Sequence, residues 1–259
     1  MLELGLDPSV LILIVGIGLT AGFIDAIAGG GGLLTIPALL SIGLPPHIAL
    51  GTNKLAASFG SSTAAWTFYR KQLFNPVFWL WSFVATAIGA FAGTFIVDFI
   101  STQWLEKLLP LVIMATAVYT ILNRKQADGQ AVLPKADKKL TKQMVGQGLS
   151  LGFYDGVAGP GTGAFWTVSS MALYKMNILL SSGLAKAMNF TSNFVSFITF
   201  VYLGHVNWAI GLTMGVSIML GAVVGAHSAI HFGAKFIRPV FITVVMVIAG
   251  KLAWQAWLS

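Results

Sequence analysis

Residues 22–31 read GFIDAIAGGG, and residues 152–161 read GFYDGVAGPG. Gly, Phe, Asp, Ala, Gly and Gly fall in identical places at an offset of 130, with Gly22 on Gly152. The correspondence continues at an offset of 132. Gly51 and Lys54 fall on Gly183 and Lys186, Phe68 on Phe200, Asn75 on Asn207, Gly89-Ala90 on Gly221-Ala222, and Gly93 on Gly225. Near the end of each half, Leu109-Pro110 falls on Arg238-Pro239. An ordered series of this kind marks an internal duplication, and a duplication governs how the rest of the chain is read.

The duplicated unit is built for lipid. Hydrophobic residues make up 56 % of the 259 residues and charged residues only 9 %, with a mean hydropathy of +0.83. A soluble domain carries about 25 % charge, so this chain lacks the polar groups to cover a surface in water. The net charge of +7 does not point to nucleic acid. Most basic residues sit in short loops between apolar runs, where they set orientation in a membrane. With no cysteine, disulfides, Fe–S clusters and thiol catalysis are excluded. The first apolar run, 10–28, follows Glu3 and Asp7 with no Lys or Arg before it. That is the wrong start for a signal peptide, so an uncleaved N-terminus is expected.

The halves meet at a polar, basic stretch, 124–142, containing Arg124, Lys125, Lys135, Lys138, Lys139 and Lys142. It reads as a linker between a first repeat over 1–123 and a second over 143–259. Apolar runs cover 10–28, 33–43, 47–69, 77–100 and 108–122, then 143–158, 164–174, 178–203, 207–231 and 236–254. A spanning helix needs about 20 residues, whereas the second run of each half has roughly 11 and reaches only about 16 Å. The expected solution is a glycine-tipped hairpin, re-entrant or with both arms crossing, followed by three transmembrane helices. Either version makes an odd number of crossings, so the second repeat is inverted. The predicted fold is therefore an all-α polytopic membrane protein of two inverted-topology repeats. A cytoplasmic linker also places Arg70, Lys71, Lys175, Lys235 and Arg238 inside and leaves Lys107 outside, as the positive-inside rule requires. Both termini are then expected outside.

Inverted repeats with broken helices commonly hold substrate at mid-membrane, between the repeats. One candidate component is the tip: Gly29, Gly30, Gly31 and Gly32 in the first half, and Gly159, Pro160, Gly161, Thr162 and Gly163 in the second. A helix beginning at such a tip turns free N–H groups into the membrane and attracts anions. The plainer reading is that these glycines permit close helix packing. The next component is Lys54 with Lys186. Lys54 lies about 12 Å beyond the start of its run at Pro45-Pro46, and an ionisable group at that depth is by default a functional hypothesis. Ser58 and Ser61 share the Lys54 face, Asn189 and Asn193 share the Lys186 face, and Asn53 adjoins Lys54. Against this stand snorkelling and a structural ion pair. Asp25 and Asp155, each four residues before its tip, form the last component. They are read as structural or as carriers of a coupling proton. His227 and His231 have helical metal-pair spacing, but Phe95 and Phe99 replace them in the first half and a third ligand is missing. Trp79, Trp81, Trp104, Trp208, Trp254 and Trp257 lie near run ends and are expected to anchor at the interfaces.

Residues 22–37 (GFIDAIAGGGGLLTIP), Thr52-Asn53-Lys54, residues 152–159 (GFYDGVAG) and Ile237-Arg238-Pro239 resemble the sulfite exporter TauE/SafE family of bacterial membrane proteins, which is grouped with sulfonate uptake permeases. The resemblance covers essentially the whole chain. It implies transport of sulfite, a sulfonate or another small organosulfur anion. Pro160 and Thr162 depart from the glycine run of the first half.

The expected function is anion transport by alternating access, in the bacterial cytoplasmic (inner) membrane. The tips and lysines would hold the anion, and Asp25 or Asp155 would take a coupling proton or cation. No cofactor, metal, catalytic residue or nucleic-acid partner is expected. The rival readings are an intramembrane enzyme and a membrane assembly or structural factor.

Overall fold

The computed structural model describes residues 8–105 and 129–232. The fifth apolar runs, both termini, Lys107, Lys235 and Arg238 lie outside the described residues, as do Trp254, Trp257 and the first part of the linker. Eight helices are described: α1 (Pro8–Ala28), α2 (Gly32–Ser41), α3 (Pro46–Arg70), α4 (Leu80–Asp98), α5 (Lys138–Val157), α6 (Thr162–Tyr174), α7 (Ile178–Tyr202) and α8 (Trp208–Phe232). Among the described residues β-structure is limited to one isolated bridge, Gln130 with Met176.

Local chemistry sets the helix ends. Pro46 opens α3, where a missing N–H leaves no bond unmade. The Asp137 carboxylate caps α5 by accepting from Leu140 N at 2.7 Å, and Asn177 caps α7 in the same way through Leu180 N at 3.0 Å. α1 and α5 stop at Gly29 and Gly159, whose φ values of 76° and 87° suit a residue without a Cβ.

By length and composition, α1, α4 and α8 are able to cross a membrane. The 25-residue α3 and α7 are each about 38 Å long and bury polar stripes that lower their hydropathy. Exposed apolar side chains such as Ile12, Ile88 and Val224 provide a lipid-compatible exterior.

Every described core cluster draws on both halves. Ala26 and Phe68 pack with Ala222 and Ala226. Ile14 and Ala56 pack with Met214 and Ile218. Trp79 joins Tyr174 and Leu184, and Ile36 and Val97 join Ala158 and Phe200. α1 runs parallel to α8, and α5 runs parallel to α4. At Gly22 there is no room for a Cβ beside the Ile218 carbonyl, and at Gly152 none beside Thr86. α3 and α7 are antiparallel: Gly51 abuts the His205 carbonyl and Gly183 abuts that of Leu73. Each member of these pairs turns into its counterpart at the offsets of 130 and 132.

Basic residues collect at one end of the layer. Arg70, Lys71 and the start of α7 lie there, and Gln130 N donates to Lys175 O at 2.8 Å, tying the end of the linker to it. At the opposite end, His205 Nε2 lies 2.7 Å from Asp98 Oδ1, with the His47 ring 5.2 Å from that of His205. Trp81, Trp104 and Trp208 are exposed, as interfacial anchors would be. Trp79 is not: it is only 1 % exposed. It turns inward at the start of α4 and packs against Phe78 and Tyr174, with ring centroids 5.0 and 4.9 Å away.

Candidate functional site

α1 and α5 break in the interior, where the last carbonyls of each helix run short of intrahelical donors, although Asp25 O still accepts from Gly29 N at 2.8 Å. A lysine from the opposite half meets each break. Lys186 on α7 donates through Nζ to the Asp25 carbonyl, and Lys54 on α3 donates to the Asp155 carbonyl. Both lysines are 1 % exposed. Each stands at the negative end of a helix dipole, where a cation is favoured.

The two settings differ in their carboxylates. Asp155 Oδ1 forms an ion pair with Lys54 Nζ at 2.9 Å and accepts from Thr162 Oγ1 at 2.9 Å. Its Oδ2 is buried and has no hydrogen-bond partner among the described residues. Asp25 is partly exposed, and its Oδ1 accepts from Gly31 N at 2.9 Å, holding the tip. The only Lys–carboxylate pair within 4 Å among the described residues is Lys54 with Asp155.

The tips touch. Ala164 N donates to Gly29 O at 3.3 Å, and a Cβ on either Gly29 or Gly163 would run into the other residue's backbone. Gly32 lies against Pro160, and Gly159 against Lys54 Nζ and Asp155 Oδ1. Gly161 adopts φ 75° just before α6. Gly30 makes only ordinary contact with Leu33.

The polar stripes are largely bonded within the protein. Ser58 Oγ donates to Lys54 O at 2.7 Å and Ser61 Oγ to Ala57 O at 2.7 Å. Asn193 Nδ2 donates to Asn189 Oδ1 at 3.2 Å. Asn53 Oδ1 accepts from Thr35 Oγ1 at 2.5 Å. Thus Lys54, Asp155 and Gly159 come together, as do Lys186 and Asp25, whereas Asn189 and Asn193 bond each other.

Sequence reasoning passes over Thr162 as a ligand of Asp155, although it lies seven residues on, within the tip. It also misses a second polar cluster, in which Tyr174 Oη donates to Gln147 Oε1 at 2.6 Å and Gln147 Nε2 donates to Ser169 Oγ at 2.6 Å. His227 Nδ1 contacts its own helix at Val223 O, 2.8 Å away. Together with His231 and Lys71 it borders a cavity of about 410 Å³. Another cavity, of about 670 Å³, is lined by Trp66, Thr67, Phe83, Ala187 and Phe190. Among the described residues no group of three His, Cys, Asp or Glu is placed to hold a metal ion.

Two lysines and two aspartates make this centre formally neutral. Both ammonium groups meet backbone carbonyls at the helix ends.

A family model described as "Sulfite exporter TauE/SafE" matches residues 14–252. A "Probable membrane transporter protein" of Haemophilus influenzae is 37 % identical over 263 residues, covering 99 % of each chain. "Probable membrane transporter protein ORF9" of a Sinorhizobium species is 38 % identical, covering 90 % of this chain and 88 % of the relative. "Probable membrane transporter protein YfcA" of Escherichia coli K12 is 34 % identical, covering 96 % and 92 %. No solved structure matches the chain.

Proposed function

This chain belongs to the sulfite exporter TauE/SafE family, and from that premise we propose that it transports a small anion, namely sulfite, a sulfonate or a related organosulfur anion, by alternating access. The observation that carries this reading is the pair of buried lysines, each placed at the helix break of the opposite half. A buried cation is costly in a membrane, and such residues usually mark a substrate or ion path.

Several packing relations support an inverted pair of re-entrant hairpins. Val10 and Ile14 near the start of α1 share a cluster with Leu39 and Ile42 near the end of α2. Leu140 and Met144 in α5 share another with Tyr174 at the end of α6. The hairpins therefore open toward opposite ends of the layer, and their tips meet between. Alternating access follows if the halves rock about that meeting point. The basic end is proposed to be cytoplasmic in the inner membrane.

One observation favours a second reading. Lys54 is already held by Asp155, as it would be in a structural strut. Flux separates the readings. Purified protein in proteoliposomes is expected to move labelled sulfite, methanesulfonate or isethionate, and Lys186→Met is expected to slow that movement at least tenfold. Robust flux that Lys186→Met leaves unchanged would favour the strut. Absence of flux for every anion tested would remove the transport reading.

A further inference from the structure

The neutral centre already contains its own anions. Asp155 occupies the place that a bound anion would want, in contact with the Lys54 ammonium at 2.9 Å and the Thr162 hydroxyl at the start of α6. An incoming monoanion would make the centre of Lys54, Lys186, Asp25 and Asp155 net negative, in surroundings where an uncompensated charge is expensive.

Resting on the transport reading, we infer that Asp155 is the internal substitute for the substrate and the carrier of the coupling proton. The anion takes the Lys54 ammonium, and the displaced Asp155 carboxylate takes one proton. One negative charge and one positive charge enter together, so the centre stays neutral. Release reverses both steps. The function is anion–proton symport with one proton per anion charge.

Three observations select Asp155 over Asp25. Asp155 is 1 % exposed, whereas Asp25 is partly exposed. Asp155 is the carboxylate paired with a lysine side chain, whereas Asp25 holds the Gly31 amide. Asp155 Oδ2 is buried and lacks a partner among the described residues, which leaves it free to receive a proton. The groups facing Asp155 fit this assignment. α3 contributes Lys54, α6 contributes the non-titrating Thr162, and α4 contributes Thr94, which bonds Gly156 O at 3.3 Å. On α5 itself, the neighbouring Tyr154 phenol donates to Pro160 O at 2.7 Å. Lys186 and Asp25 lie across the tip contact.

The test uses methanesulfonate, whose charge does not change near neutral pH, with the purified full-length protein. Between about pH 6 and 8, one-proton linkage weakens binding about tenfold per pH unit, and a pH dye registers one proton taken up per anion. Asp155→Asn is expected to abolish both signals, and Asp25→Asn to keep them. Methanesulfonate binding with a pH-independent affinity in the parent protein would overturn the inference while leaving anion transport intact. Proton uptake that survives Asp155→Asn, or is lost in Asp25→Asn instead, would overturn the assignment to Asp155. Failure of methanesulfonate, sulfite and isethionate all to bind would overturn the transport reading, and this inference with it. The parent-protein measurement needs no variant, so misfolding of Asp155→Asn does not affect it.

Discussion

Ala164 donates its backbone N–H to the Gly29 carbonyl at 3.3 Å, joining the two helix breaks without any side chain between them. The contact places the end of α1 against the start of α6. It also brings both lysine-capped carbonyl ends into one centre.

The two lysines should differ when neutralised. Lys54→Met leaves the Asp155 carboxylate buried without its cation, and breaking a buried pair in this way costs about 3–5 kcal/mol. Lys186→Met removes a donor to the Asp25 carbonyl and a charge partner of the Asp25 carboxylate, but Asp25 is partly exposed, so this variant should cost less stability. Thermal unfolding of the purified variants in detergent provides the comparison. Adding Asp155→Asn to Lys54→Met should restore part of the loss. Equal losses for the two single variants, with no recovery in the double, would refute the asymmetry.

Glycine substitutions should separate by contact rather than by sequence position. Gly152→Val forces a side chain into the Thr86 carbonyl and should destabilise by at least the ~1–3 kcal/mol typical of overpacking. At Gly146, six residues earlier on α5, an added Cβ would meet nothing within 4 Å. There Gly146→Ala should stabilise by about 0.4–1 kcal/mol. The monodisperse fraction after heating reads both effects, and similar behaviour of the two variants would count against the α4–α5 packing.

Tyr174→Phe removes the donor to Gln147 Oε1. An acceptor stranded in a buried site costs about 1–3 kcal/mol, so a melting shift is expected without loss of anion binding. An unchanged melting temperature would mean that water replaces the bond.

The chain contains no cysteine, which makes side-specific labelling direct. Single cysteines at Gln72 and Val132 should react with an impermeant reagent only from the cytoplasmic side. Single cysteines at Gly43 and Ser101 should react only from the external side. Labelling of all four from one face would exclude the proposed orientation.

The repeat makes the lysines, the aspartates and the tips legible, because each occurs twice at a fixed offset. What it does not disclose is their partners. Lys54 meets Asp155 and not Asp25, and a pairing that crosses the halves leaves no local trace in the sequence. The asymmetry of the centre is half visible. Thr162 stands where the first half has Gly32, so only one half supplies a hydroxyl to its aspartate. Its consequence for Asp155 emerges only once the tip is folded. Trp79 departs from the expected interfacial role because nearness to a run end does not say which way a ring turns. His47, Asp98 and His205 look unconnected in the sequence because three separate segments bring them together.

The four cores shared between the halves bear on how this chain is made. During synthesis the first half emerges without the surfaces its glycines fit. Gly22 waits for Ile218 and Gly51 for His205. The early helices must therefore rest in the bilayer as loosely associated rods until the later ones arrive. The linker then serves as a tether that keeps the two pieces at high local concentration. Completion of the protein resembles the docking of two subunits more than the growth of one.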